Sequence, residues 1–157
     1  KGVCYVPQTN NVFPTLTVQE NLEMGAYIRN DDFRPRLLEI YEMFPPLAEK
    51  KKQAAGELSG GQRQMVAMGK ALMLEPTILM LDEPTAGLSP IYRNEIFQII
   101  RQINASGIPI LMVEQNAKQS LAVANRGYVL VDGRNRTTGK GIDLLNDPEI
   151  AKMFLGG

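Results

Sequence analysis

The chain has 157 residues, 44% of them hydrophobic, enough for one globular domain with its own core and without signs of disorder or repeats. Seventeen Lys and Arg balance seventeen Asp and Glu, and no run of like charge suggests a tail, which argues against nucleic acid as a partner. No apolar run approaches the roughly 20 residues that span a bilayer, and the N-terminus lacks a signal-peptide layout.

A single cysteine, Cys4, excludes an internal disulfide, fits a reducing compartment and reads as a small core residue. There is no histidine, so no imidazole catalyses or ligates metal. The first residue is a lysine that runs directly into a strand-like segment. A fragment or a processed chain is expected.

In chain order, "VCYV", "TILMLD", "IPILMVE" and "GYVLV" are short continuous apolar runs, predicted as strands buried on both faces, three of them in an α/β core. "TVQENLEMGAYI" opens with Thr17 and Glu20 as a capping box and places Val18, Leu22, Gly25 and Ile28 on one helix face. A second helix is predicted from near Pro35 to before Pro45-Pro46, which a helix cannot run through. A further helix follows Ser59. "SPIYRNEIFQIIRQINASG" has Ser89 as a cap, Pro90 at the first helical position, an apolar stripe through Tyr92, Ile96, Ile99 and Ile103, and Gly107 as the stop. It reads as the crossover helix of a βαβ unit. After "GYVLV" the chain turns at Asp132-Gly133 towards a short returning strand, and a last helix covers about Glu149 to Leu155. Such alternation implies right-handed crossovers, with ligands at the carboxyl ends of the strands.

One of those ends is Asp82-Glu83-Pro84. An ionised carboxylate leaving a buried strand needs a partner or water. Two in a row suit a division of labour in which one holds Mg²⁺ and the next polarises a water. The alternative is that Asp82 caps the following turn, and the pair alone leaves both readings open. Gln8 and Gln115 follow two other strands, where each either orients water or is a loop amide.

"LSGGQ" offers a similar choice. Ser59 and Gln62 form a capping-box pattern, while Gly60 and Gly61 cost roughly 1 kcal/mol each in a first helical turn against alanine. Unobstructed amides at the positive end of a helix make an anion site, so the glycines favour phosphate over a plain cap.

These segments carry a resemblance. "LSGGQ" resembles the signature motif of ABC-type ATPases, "ILMLDEP" their Walker B strand with its glutamate, "VPQ" their Q-loop and "AGLSP" their D-loop. The likeness runs the length of the chain, and its finer wording is similar to the ATP-binding subunits of bacterial branched-chain amino acid importers. The resemblance implies a P-loop NTPase fold of the ABC type, with a parallel sheet, residues 13–57 as a helical subdomain, and 1–12 with 58–157 as the rest of a RecA-like core. It implies Asp82 on the Mg²⁺ side with Gln8, and Glu83 as general base. Ser59, Gly60, Gly61 and Gln62 would contact ATP held by a second ATPase subunit in a homo- or heterodimer, with Ala86, Gly87, Leu88 and Ser89 as the D-loop. Membrane permease subunits, and a peripheral place on the cytoplasmic face of the bacterial inner membrane, are implied likewise.

Three departures accompany it. Gln115 stands where the family has a switch histidine, and Ser89 where the D-loop usually ends in aspartate. No G-x-x-x-x-G-K-S/T phosphate loop occurs anywhere; Gly69-Lys70 is followed by Ala71 and Gly139-Lys140 by Gly141. In the family that loop and its strand lie upstream, so the chain is expected to be the later two thirds of a cassette, with the P-loop strand absent, inactive alone and prone to self-association. A chromosome-type relative would need a coiled coil between Gln8 and Ser59, for which there is no room. A translation-type relative would bring a second cassette and a basic linker. The remaining alternative is a non-transport or regulatory module that has lost its phosphate loop.

Overall fold

The structure, a computed structural model, describes residues 2–154. After Val113 the chain passes from one compact unit into a second. In the first unit, β1 (Val3–Val6), β2 (Ile78–Asp82) and β3 (Ile110–Val113) form a parallel sheet in the order β1-β2-β3. Val6 pairs with Leu81, and Asp82 with Val113. All three strands therefore end on one edge, as parallel pairing requires.

The connection from β1 to β2 is helical. α1 (Val18–Gly25) starts on the expected capping box: the Glu20 amide donates to Thr17 Oγ1 and the Thr17 amide to Glu20 Oε2. Asn21 is fully buried inside the preceding loop, accepting from the Phe13 amide and donating to the carbonyls of Phe13, Leu16 and Thr17. Its amide takes over bonds the irregular backbone cannot make internally. The expected apolar face does not reach Ile28: α1 ends at Gly25, and Ile28, beyond the cap, is 75% exposed.

α2 (Arg34–Met43) stops before the two prolines, and α3 (Pro45–Glu49) begins on them. A proline cannot continue a helix but suits a first turn, whose amides have no partner in any case. α4 (Gly60–Leu72) then packs on α1 and β1, and α5 (Pro90–Ala105) crosses between β2 and β3. The α5 stripe is buried at Ile96, Ile99 and Ile103, and Gly107 at φ 96° follows its end, as expected.

The expectation of strands buried on both faces fails. Cys4, Val6, Leu79 and Leu81 are buried, whereas Val3 and Tyr5 of β1 and Leu111 and Val113 of β3 are half-exposed or more. Alternate residues of a strand face opposite sides, and the helices of this unit cover only one side of the sheet.

In the second unit, α6 (Ala117–Val123) precedes β4 (Arg126–Val131), which pairs antiparallel with β5 (Arg134–Lys140); α7 (Gly141–Leu145) and α8 (Pro148–Phe154) follow. The "GYVLV" run thus belongs to a hairpin, not to the parallel sheet, and exposes Tyr128 and Leu130. Asp132 and Gly133, at φ 49° and 72°, form the two-residue turn that matches the twist of paired strands. Leu121, Leu144 and Ile150 make the core of this unit, packed with Val129 and Leu145. Leu155, assigned above to the last helix, lies outside the described residues. No helix among the described residues is long and apolar enough to cross a membrane.

α1 and α4 approach so closely at Gly25 that a methyl group there would overlap the Lys70 carbonyl oxygen, which is backbone and cannot yield as a side-chain tip does. Gly25→Ala is expected to cost about 1–3 kcal/mol. An unchanged denaturant midpoint in urea unfolding would contradict this close packing.

Candidate functional site at the carboxyl ends of the strands

β2 delivers Asp82 to the sheet edge, and the next residue departs from ordinary geometry. The Glu83 amide still donates to Val113 O at 2.8 Å, extending the ladder by one bond, but φ is 44°. Left-handed backbone at a residue that is not glycine costs of order 1–3 kcal/mol and persists where the surroundings impose it. Here the ladder bond holds the amide, and the Ala86 amide closes a turn onto Glu83 O at 3.0 Å. The turn swings the glutamate towards the end of β1, where Gln8 Nε2 donates to Glu83 Oε2 at 2.8 Å.

Asp82 has its own partner. The Tyr5 hydroxyl donates to Asp82 Oδ2 at 2.8 Å, and that hydrogen bond, reinforced by the carboxylate charge, holds the phenol above its ordinary pKa. Tyr5 was not among the residues expected from sequence. Its signal lies in the alternation of β1, which sends Val3 and Tyr5 to the face opposite Cys4 and Val6, with Tyr5 paired to Met80 two residues before Asp82.

Gln8, Asp82 and Glu83 are thus together, as expected. The oxygens of Asp82 and Gln8 are hard donors that suit Mg²⁺, which takes one or two protein oxygens and fills its remaining positions with water and phosphate. Gln8 uses its amide nitrogen on Glu83, which leaves its oxygen as the atom for a cation.

The second group lies at the starts of α4 and α5. Ser59 caps α4 reciprocally: Ser59 Oγ accepts from the Gln62 amide and Gln62 Oε1 from the Ser59 amide, both at 3.2 Å. A plain capping box therefore does form. The glycines also have a packing reason that the sequence argument lacked. A side chain on Gly61 would run into the Tyr92 ring of α5, and one on Gly60 would press on Leu88. Of Ala86, Gly87, Leu88 and Ser89, it is Leu88 that is thereby set against the first turn of α4. Gly87 at φ 69° supplies the left-handed step in that loop.

Ser89 occupies the cap position of α5 but makes no side-chain capping bond, contrary to the expectation. Instead Arg93 Nη2 holds Leu88 O at 3.3 Å, much as Arg63 Nη1 holds Leu58 O at 2.6 Å before α4. Gln115 lies two residues beyond β3, exposed, in the second compact unit, where its carbonyl accepts from the Ala117 amide.

An ABC transporter family model matches residues 1–86, more than half the chain. The chain belongs to the ABC transporter family of ATP-binding proteins, and its α/β fold is that of an ABC ATPase cassette. It is 44% identical to the high-affinity branched-chain amino acid transport ATP-binding protein BraG of Pseudomonas aeruginosa, across 100% of this chain and 68% of that protein. It is 41% identical to the probable branched-chain amino acid transport ATP-binding protein LivF of Archaeoglobus fulgidus, across 99% of this chain and 66% of that protein. Among solved structures, the ADP conformation of an ATP-binding cassette of an ABC transporter superposes with a TM-score of 0.84 at 27% identity, covering 99% of this chain and 69% of that one. The chain thus spans 66–69% of the length of these proteins.

The Tyr5 to Asp82 contact predicts a titration. A phenol that donates to a carboxylate is harder to ionise, so Asp82→Asn is expected to lower the pKa of Tyr5, read as the difference in ultraviolet titration against Tyr5→Phe in each background. Equal values with and without the carboxylate would contradict the contact.

Proposed function

We propose that this chain is the greater part of an ATP-binding and ATP-hydrolysing subunit of a bacterial ABC importer, with branched-chain amino acids as the transported class. The observation that carries the reading is the contact of Gln8 with Glu83 beside Asp82: an amide and two carboxylates converge where parallel strands end, one of them on strained backbone. Glu83 is the general base for the attacking water, and Gln8 orients it through the 2.8 Å hydrogen bond. Asp82, steadied by Tyr5, and the Gln8 oxygen would hold the cation. Bound Mg²⁺ neutralises charge on the phosphates of ATP.

Ser59, Gly60, Gly61 and Gln62 present the amino end of α4 to ATP held by a second subunit of a homo- or heterodimer, with Ala86 to Ser89 beside them and Gln115 in place of the switch histidine. The half-exposed apolar sheet face at Val3, Tyr5, Leu111 and Val113 supports association with further polypeptide. The permease side is served by a groove of about 480 Å³ between β1, α1 and α4, lined by Phe13, Met24, Tyr27, Ile28 and Lys70 among others. Tyr27 and Ile28 are 80% and 75% exposed. Large apolar groups in that state fit a surface that meets a partner at the cytoplasmic face of the membrane. The substrate class rests on the likeness to the two branched-chain amino acid proteins.

With no phosphate loop in its 157 residues, this stretch alone is expected neither to hold ATP tightly nor to turn it over. Calorimetry of the 157-residue chain with Mg²⁺ and ATP should detect no stoichiometric micromolar binding. Uptake of radiolabelled leucine by cells dependent on the complete subunit should fall by about 10²-fold or more with Glu83→Gln. Undiminished uptake would refute Glu83 as the base.

A further inference from the structure

The segment from Pro7 to Phe13 carries Gln8 away from β1 and is fastened to α4 chiefly at one residue. Asn11 Nδ2 donates to Pro7 O at 3.2 Å and to Gln64 Oε1 at 3.0 Å, while Asn11 O accepts from Lys70 Nζ at 2.7 Å. The same ammonium lies 4.8 Å from the centre of the Phe13 ring. Gln64 and Lys70 both belong to α4.

The orientation of these amides follows from the acceptors around them. The Asn11 nitrogen must face the Pro7 carbonyl, so only the oxygen of Gln64 can meet it. Gln64, 7% exposed, is then left with its Nε2 buried and without a hydrogen-bond partner. An aliphatic side chain of similar volume would fill this place without an unmet donor. Packing alone therefore does not account for a glutamine here, whereas holding Asn11 does.

We propose that Gln64 is a positioning residue for the Gln8 and Glu83 pair. Through Asn11 it fixes the segment that carries Gln8, and so ties the carboxylate at the end of β2 to the helix whose first turn follows Ser59. Movement of α4 is passed to Gln8 by two hydrogen bonds in series, and movement of Gln8 is passed back. This role presupposes the hydrolytic reading of Gln8 and Glu83 given above.

Its test needs no nucleotide. The side-chain amide of Gln8 is followed by nitrogen–proton correlation NMR in the 157-residue chain. In Gln64→Leu, and separately in Asn11→Ala, its resonances should shift to where they lie in Glu83→Ala, and the double variant should shift them no further than either single one. Gln64→Glu keeps the accepting oxygen and should leave them near their original positions. Unmoved Gln8 resonances in both Gln64→Leu and Asn11→Ala, whatever happens to the unfolding midpoint, would overturn the role. In the complete subunit Gln64→Leu should lower ATP turnover several-fold. An NMR shift without that loss would leave the tether standing and sink the hydrolytic reading instead.

Discussion

The site depends on the parallel register of three strands. With Val6 opposite Leu81 and Asp82 opposite Val113, the chain must leave β1 and β2 at the same edge, so an amide beyond one strand and carboxylates at the end of the other meet without a dedicated loop. The bond from the Glu83 amide to Val113 O carries this one step further. It holds Glu83 in the left-handed region and thereby aims its side chain at Gln8. Strain at this position and the reach of the carboxylate have the same cause.

A second constraint is close packing around α4. Gly25 sits against the Lys70 carbonyl, Gly61 against Tyr92, and Gly69 against Leu22 and Ile40, so α4 is hemmed in by α1, α2 and α5 together. Its first turn cannot shift without moving the Leu88 and Ser89 segment, and through Gln64 and Asn11 it is joined to the segment carrying Gln8. Interiors packed in this way transmit displacement in place of absorbing it.

Much of this was legible in the sequence because it is local. The capping boxes at Thr17 and Ser59, the arrest before Pro45, the stop at Gly107 and the Asp132-Gly133 turn each follow from a few neighbouring residues. The carboxylates at the end of "TILMLD" stood out because an ionised group leaving an apolar run needs a partner, although a cap on the following turn was the other reading they left open. What stayed hidden depends on partners far away in the chain. Tyr5 and Asp82 are 77 positions apart, and Asn11 and Gln64 are 53. "GYVLV" reads like the core strands because composition alone does not distinguish a hairpin strand from a parallel one. α6 and α7, at seven and five residues, are too short to establish a period. The packing role of Gly61 was hidden for the same reason: its neighbour Tyr92 lies on another helix, so the sequence offered no sign that the missing side chain makes room for a ring.

The central claim is that Glu83, held by Gln8, is the base of an ATP-hydrolysing centre that also needs a phosphate loop and the Ser59 to Gln62 turn of a second subunit. The most direct measurement is Mg²⁺-dependent ATP turnover by this chain beside a version joined to a phosphate-loop segment from a related cassette, each with and without Glu83→Gln. The account predicts turnover only in the joined form, abolished by Glu83→Gln while ATP binding persists. A joined form that binds ATP yet stays inactive with Glu83 intact would contradict it, and would mark the chain as a regulatory module.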